Sequence, residues 1–179
     1  MLPPGHIAGG YLVSVALLKY THNNFTAYQI KELLLIGTFF GFAPDIDFFF
    51  SFYRARGLVV SSPKDNHRKF YSHAPILWFL AGAIIFLAAS NPFYRYVGLL
   101  VWLGSWSHFF LDSIEYGIMW LWPLNSRIYA FKDAGREFEI VQKDFSGFWI
   151  SFVKRYAKKV SFYLEMLVIV IALITFIKR

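Results

Sequence analysis

Apolar and polar positions divide this chain into long hydrophobic runs separated by short polar stretches. Leu2 to Leu18 carries no Lys, Arg, Asp or Glu and is just long enough to cross a bilayer as a helix. It lacks the basic start and small-residue cleavage site of a signal peptide, so a retained span is expected. A second run, roughly Ile30 to Phe50, is interrupted near its far end by Asp45 and Asp47. Ala74 to Ser90 predicts a third span, about Tyr96 to Leu111 a fourth, and Ser161 to Ile177 a fifth. From 148 to 160, Phe148, Phe152, Tyr156 and Val160 recur every four residues against Ser151, Lys154, Arg155, Lys158 and Lys159. That period predicts a basic amphipathic helix lying on an anionic membrane surface or running on into the last span. Ser113 to Leu124 is short and aromatic and reads as interfacial or re-entrant. Asn125 to Gly147 shows no sustained period and reads as a polar loop.

Composition sharpens the class. A hydrophobic fraction of 57% with only 16% charged residues leaves too little charge for the surface of a soluble domain of 179 residues. The expectation is an all-α polytopic membrane helix bundle, about five transmembrane helices plus interfacial helices. It forms a single integral membrane domain over 1–179. With no cysteine, disulfides and thiolate metal sites are excluded.

Charge then orients the bundle. The net charge is +7, but the basic residues sit between apolar runs and form no nucleic-acid-binding tract. With five spans, segments 51–73 and 113–160 share one side and hold 13 of the 18 Lys and Arg residues. The excess of cations marks the cytoplasmic side. The expected placement is a cell (inner) membrane, N-terminus inside and C-terminus outside.

The charged residues inside the apolar runs carry the chemistry. Asp45 and Asp47 would point to nearly opposite faces of a continuous helix, but Pro44 between Ala43 and Asp45 predicts a local break. A break lets both carboxylates turn to one site, or each serve a different ion. His67 and His73 follow, beside Arg68 and Lys69, and His108 and Asp112 share a helical face four residues apart. That last spacing suits two ligands to one cation, a ligand with its orienting carboxylate, or a plain hydrogen bond. In the five-span topology His6, Asp45, Asp47, His67, His73, His108 and Asp112 all fall at one membrane level, and only His22 lies on the opposite face. Imidazole and carboxylate donors suit Zn²⁺, Mn²⁺ or Fe²⁺, and seven groups suffice for one or two ions. Glu165, near the start of the last span, reads first as a side chain snorkelling to the headgroups and second as a member of the site.

These residues carry a resemblance. Asp45-Ile46-Asp47 after Pro44, His67-Arg68, His73 and His108-Phe-Phe-Leu-Asp112 resemble the signature of the YdjM-like family of membrane-bound metal-dependent hydrolases. Gly117, Leu121-Trp122-Pro123-Leu124 and His6 look like further family positions, so the resemblance covers roughly residues 6 to 124. His-Arg-Lys-Phe-Tyr-Ser-His-Ala at 67–74 departs from the family's shorter His-Arg-Thr-His-Ser pattern. The resemblance implies a hydrolase that takes a divalent metal cofactor and leaves the substrate open. Arg68 and Lys69 beside the ligands point to an anionic ester, a phosphoester first, and headgroup depth points to a lipid. Catalytic work would fall to Arg68 and Asp112, unless Arg68 is a clamp on Asp45 or Asp112. The rival class is a metal transporter or non-catalytic metal-binding membrane protein. Transport sites tend to lie near the bilayer midplane, whereas these ligands gather at one end.

Overall fold

A computed structural model describes residues 1–21, 24–55, 67–132 and 144–179, with only the backbone of residues 51, 52, 54, 55 and 67. The helices are α1 (Pro3–Tyr20), α2 (Ala27–Phe42), α3 (Asp47–Ala55), α4 (Pro75–Ala88), α5 (Pro92–Ser113), α6 (Phe145–Tyr156) and α7 (Val160–Ile177). Their starts follow from local chemistry. Proline, which loses nothing at a position whose N–H has no intrahelical partner, opens α1, α4 and α5. Thr26 and Gln29 form a reciprocal capping box on α2, and Asp144 accepts from Gly147 N–H at the start of α6.

The break expected at Pro44 is present. Between α2 and α3 the chain tightens into a 3-10 turn, Ala43–Ile46, which sets Asp45 inward. Two further 3-10 turns, His67–Lys69 and Tyr71–His73, lead into α4.

By length and composition, two stretches are long and apolar enough to cross a membrane: Ala27–Phe50, which takes in the turn and the start of α3, and Val160–Ile177. The five-span expectation is therefore met only in part. α4 has 14 residues, about 21 Å against a hydrocarbon core of roughly 30 Å. The amphipathic segment does not run on into the last span, because Ala157–Lys159 separates α6 from α7. α7 itself exposes Leu167, Val170, Ile171, Leu173, Ile174, Phe176 and Ile177. Apolar surface on so many sides of one helix suits hydrocarbon better than water.

α1 packs on α2, α5 and α7, α2 also packs on α5, and α4 packs on α5. Close crossings need small residues. A Cβ on Gly41 of α2 would lie 2.5 Å from the His6 carbonyl oxygen and 2.8 Å from Gly10 Cα, so bare backbone is what lets α1 and α2 touch. Gly82 and Gly98 do the same for α4 and α5: a Cβ on either would lie 2.5 or 2.6 Å from the other's carbonyl oxygen. One end of the α1–α2–α5 trio is an apolar cluster of Leu18, Leu33 and Leu100, with Phe25, Ile30, Phe93, Tyr96 and Val97 packed around it. The opposite end holds the polar groups.

The segment after α5 folds back on itself and is less a surface-lying stretch than a small turn. Ile118 and Tyr129 exchange backbone hydrogen bonds (3.0 and 2.9 Å), and Glu115 bridges to Lys132. Ile118 and Met119 are buried, and the Trp120 ring meets Trp106 edge-on. The expected polar loop at 125–147 is thus ordered at 128–132 by this pairing; its positions 133–143 lie outside the described residues.

Candidate metal centre

Four elements aim polar side chains into one buried volume. The first turns of α1 bring His6, the 3-10 turn after α2 brings Asp45, the turn before α4 brings His73, and the last turns of α5 bring His108 and Asp112. His6, His73 and His108 have no exposed surface, and Asp112 has 1%. Two overlapping triads result, His6–His108–Asp112 and Asp45–His73–His108, each with its ligand atoms within 4.8 Å of one another.

The hydrogen bonds fix which atoms face inward. His108 Nδ1 lies 3.0 Å from the Gly41 carbonyl oxygen. A carbonyl only accepts, so Nδ1 carries the proton and Nε2 of the neutral ring is a bare lone pair. That lone pair points at Asp45 Oδ1 and Asp112 Oδ2, both at 3.6 Å. His73 repeats the arrangement. Its Nδ1 is 2.9 Å from Asp47 Oδ2, leaving Nε2 to face Asp45 Oδ1 at 3.5 Å. His6 Nε2 lies 3.3 Å from Asp112 Oδ1 and 3.9 Å from Asp45 Oδ2, and its ring stacks on His108 at 3.7 Å.

A lone pair facing carboxylates is repulsive unless a cation lies between them. Nε2 of His108, whose lone pair is fixed by the Nδ1 bond, is buried without a hydrogen-bond partner among the described residues, and so are both ring nitrogens of His6. Donors about 2.1 Å from one ion at tetrahedral angles stand about 3.4 Å apart, close to the spacings above. The residues present therefore fit a divalent ion. Because His108 offers one lone pair, it can serve only one ion at a time, although it belongs to both triads.

Electrostatics agrees at His73, which precedes α4. Burial alone disfavours its charged ring, but hydrogen bonding and charge from Asp45 and Asp47 outweigh that and push its pKa up to about 9. In the metal-free protein a proton holds the position an ion would take.

The expected ligands thus divide. His6, Asp45, His73, His108 and Asp112 converge. Asp47 stands behind His73, bonded to Nδ1 and to the Ser72 hydroxyl, where it orients the ring. The side chain of His67, and all of His22, lie outside the described residues. Arg68 is buried with Nη1 3.1 Å from Asp112 Oδ2 and 3.5 Å from the Glu115 carbonyl oxygen, the arrangement of a clamp on Asp112. The amino group of Met1 meets the other oxygen of that carboxylate at 2.5 Å. Lys69 is exposed.

Two buried carboxylates were not legible as part of this region. Glu115 accepts from the Ser161 hydroxyl at 2.5 Å. Glu165 is 1% exposed and bonds to the start of α1, which corrects the snorkelling expectation. Its signal in the sequence is only that it is the one charged residue within α7.

No curated protein and no solved structure matches the chain. The family comparison does match: the description is YdjM inner membrane protein, over residues 1–179, a span that includes every residue of the buried His/Asp cluster. The chain belongs to the YdjM inner membrane protein family.

Proposed function

We propose that this protein is a membrane metal-dependent hydrolase acting on a phosphoester or related anionic ester, with a lipid as the favoured substrate class. The observation that carries the reading is the convergence of three imidazole Nε2 atoms on Asp45 and Asp112, two of the rings held from behind through Nδ1. Such backing fixes ring orientation before any ligand arrives, which a site evolved only to pack would not need.

His73, His108 and Asp45 would hold one divalent ion, and His6 with Asp112 would complete that site or form a second. A divalent ion there supplies Lewis acidity to an ester oxygen and to water at neutral pH. The chain's own residues do the rest. Gly41 and Asp47 keep two imidazoles in the tautomer whose Nε2 faces inward. Arg68 holds Asp112 ionised and in register, and its guanidinium would add positive charge beside a bound phosphoester. Burial excludes bulk water from every donor except the flank of Asp45, which retains 8% of its surface. The lipid preference rests on α6, whose Lys154 and Arg155 are exposed beside exposed Ile150 and Val153, with exposed Lys158 in the turn that follows. Location of the site at the cytoplasmic face belongs to the same reading and rests on the loop charges.

The test is metal analysis of purified protein followed by hydrolysis assays on phosphomonoester, phosphodiester and phospholipid-vesicle substrates, with and without Zn²⁺, Mn²⁺ or Fe²⁺. Metal-dependent release of product from one class supports the proposal. Stoichiometric metal with no turnover on any class favours a non-catalytic metal-binding protein.

A further inference from the structure

Glu165 reaches from α7 to the first turn of α1. Its carboxylate accepts from the backbone N–H groups of Leu2 and Gly5, both at 3.2 Å, and from the Tyr156 hydroxyl of α6. The first N–H groups of a helix have no partner within it, and α1 has no side-chain cap of its own because Leu2 stands at the N-cap. A carboxylate there satisfies those donors and meets the positive end of the helix dipole. The approach depends on Gly5: a Cβ would sit 2.7 Å from Glu165 Cγ. The next residue is His6, whose ring is stacked on His108.

We propose that Glu165, braced by Tyr156, is the positioning residue for His6. It fixes the height and rotation of the first turn of α1, so that His6 Nε2 faces Asp112 and Asp45, and it ties ion occupancy at the His6 triad to the docking of α6 on α7. The alternative is that Glu165 merely holds two helices together. That role would affect folding without altering the environment of a bound ion.

The inference rests on the cluster holding a metal, and the experiment separates the two. Detergent-purified protein is titrated with Co²⁺, read by its visible spectrum, and competed with Zn²⁺. Glu165→Ala is expected to weaken Co²⁺ binding about 10–100-fold, the usual range when an indirect support of a metal site is removed, and to change the spectrum at unchanged helix content. Glu165→Gln keeps the length and one acceptor oxygen, so it recovers part of the affinity. Tyr156→Phe, which keeps the ring and deletes the brace, gives a smaller loss in the same direction. Thr175→Val, which removes a hydroxyl bonded to the Ile171 carbonyl within α7, leaves binding unchanged. Wild-type affinity and spectrum in both Glu165→Gln and Tyr156→Phe overturn the inference, whether or not Glu165→Ala folds. If wild-type protein takes up no Co²⁺, the metal reading itself fails and this inference with it.

Discussion

Gly41→Ala tests the link between helix packing and the candidate metal centre. The new methyl carbon would lie 2.5 Å from the His6 carbonyl oxygen and 2.8 Å from Gly10 Cα, where ordinary contact begins at 3.4 Å. Both obstacles are backbone, so no rotamer change relieves them, and α1 must withdraw from α2 by about 0.9 Å at an overpacking cost of about 1–3 kcal/mol. His6 rides on that turn of α1, while Gly41 itself supplies the carbonyl that fixes His108. Metal–donor distances tolerate about 0.2 Å, so a displacement four times larger separates His6 from an ion bound to His108 and Asp112. Gly98→Ala is the matched control. Its methyl would meet the Gly82 carbonyl oxygen at 2.6 Å, a similar overlap, but ten residues before His108, about 15 Å along α5. Metal content after purification and thermal unfolding in detergent are measured for both. Each variant should lose stability, and only Gly41→Ala should lose metal. Equal metal loss in both, or wild-type metal in Gly41→Ala, would refute the reasoning.

His108→Ala and Asp45→Ala should each sharply reduce bound metal, whereas His22→Ala should not; metal-to-protein ratios decide. Arg68→Ala leaves buried Asp112 with the Met1 amino group as a remaining cation, so the cost should stay below the roughly 3–5 kcal/mol of a fully broken buried pair, and metal content and activity should both fall. Arg68→Lys should restore only part of either, and full activity in Arg68→Ala would contradict any role at the site. Because His73 has a pKa of about 9, it binds a proton at neutral pH in the metal-free protein, and an ion at Nε2 must expel it. The apparent metal affinity should therefore rise about tenfold per pH unit up to about pH 9 and then level off; a flat profile below pH 9 contradicts the assignment. Reporter fusions after Lys64 and Lys143 should read as cytoplasmic and a C-terminal fusion as external, and an external reading at Lys64 removes the charge-based orientation.

Much of the site could be read from the chain because its donors lie near helix ends and carry local spacing signals. His108 and Asp112 are one turn apart, and Pro44 announces the tightened turn that redirects Asp45. The division of labour between Asp45 and Asp47 could not be read that way, since it depends on where the Tyr71–His73 turn lands, a contact 26 residues distant in sequence. Arg68 was equally open on sequence grounds: its partner Asp112 is 44 positions away, and charge alone does not choose between a substrate and a carboxylate. Glu165 lies 160 residues from Gly5, and nothing local distinguishes a snorkelling glutamate from a helix cap. Gly37-Thr-Phe-Phe-Gly41 does carry the small-residue spacing of a close crossing, a local pattern that needs no distant partner to be recognised. The number of spanning helices was least legible, because hydrophobicity marks burial in protein and in lipid alike.

Enclosure of the donors has a consequence for exchange kinetics. With His6, His73 and His108 wholly covered and Asp112 nearly so, a chelator cannot touch a bound ion until the helices part or the Asp45 flank opens. Removal then becomes a gated process. Its rate should grow with chelator concentration only until opening limits it, and beyond that should be the same for EDTA and for a smaller chelator. The same gate controls loading. An ion admitted while α1 is still settling against α2 would be held afterwards by the closed bundle, so the metal found in the purified protein would reflect the supply during assembly more than the order of intrinsic affinities.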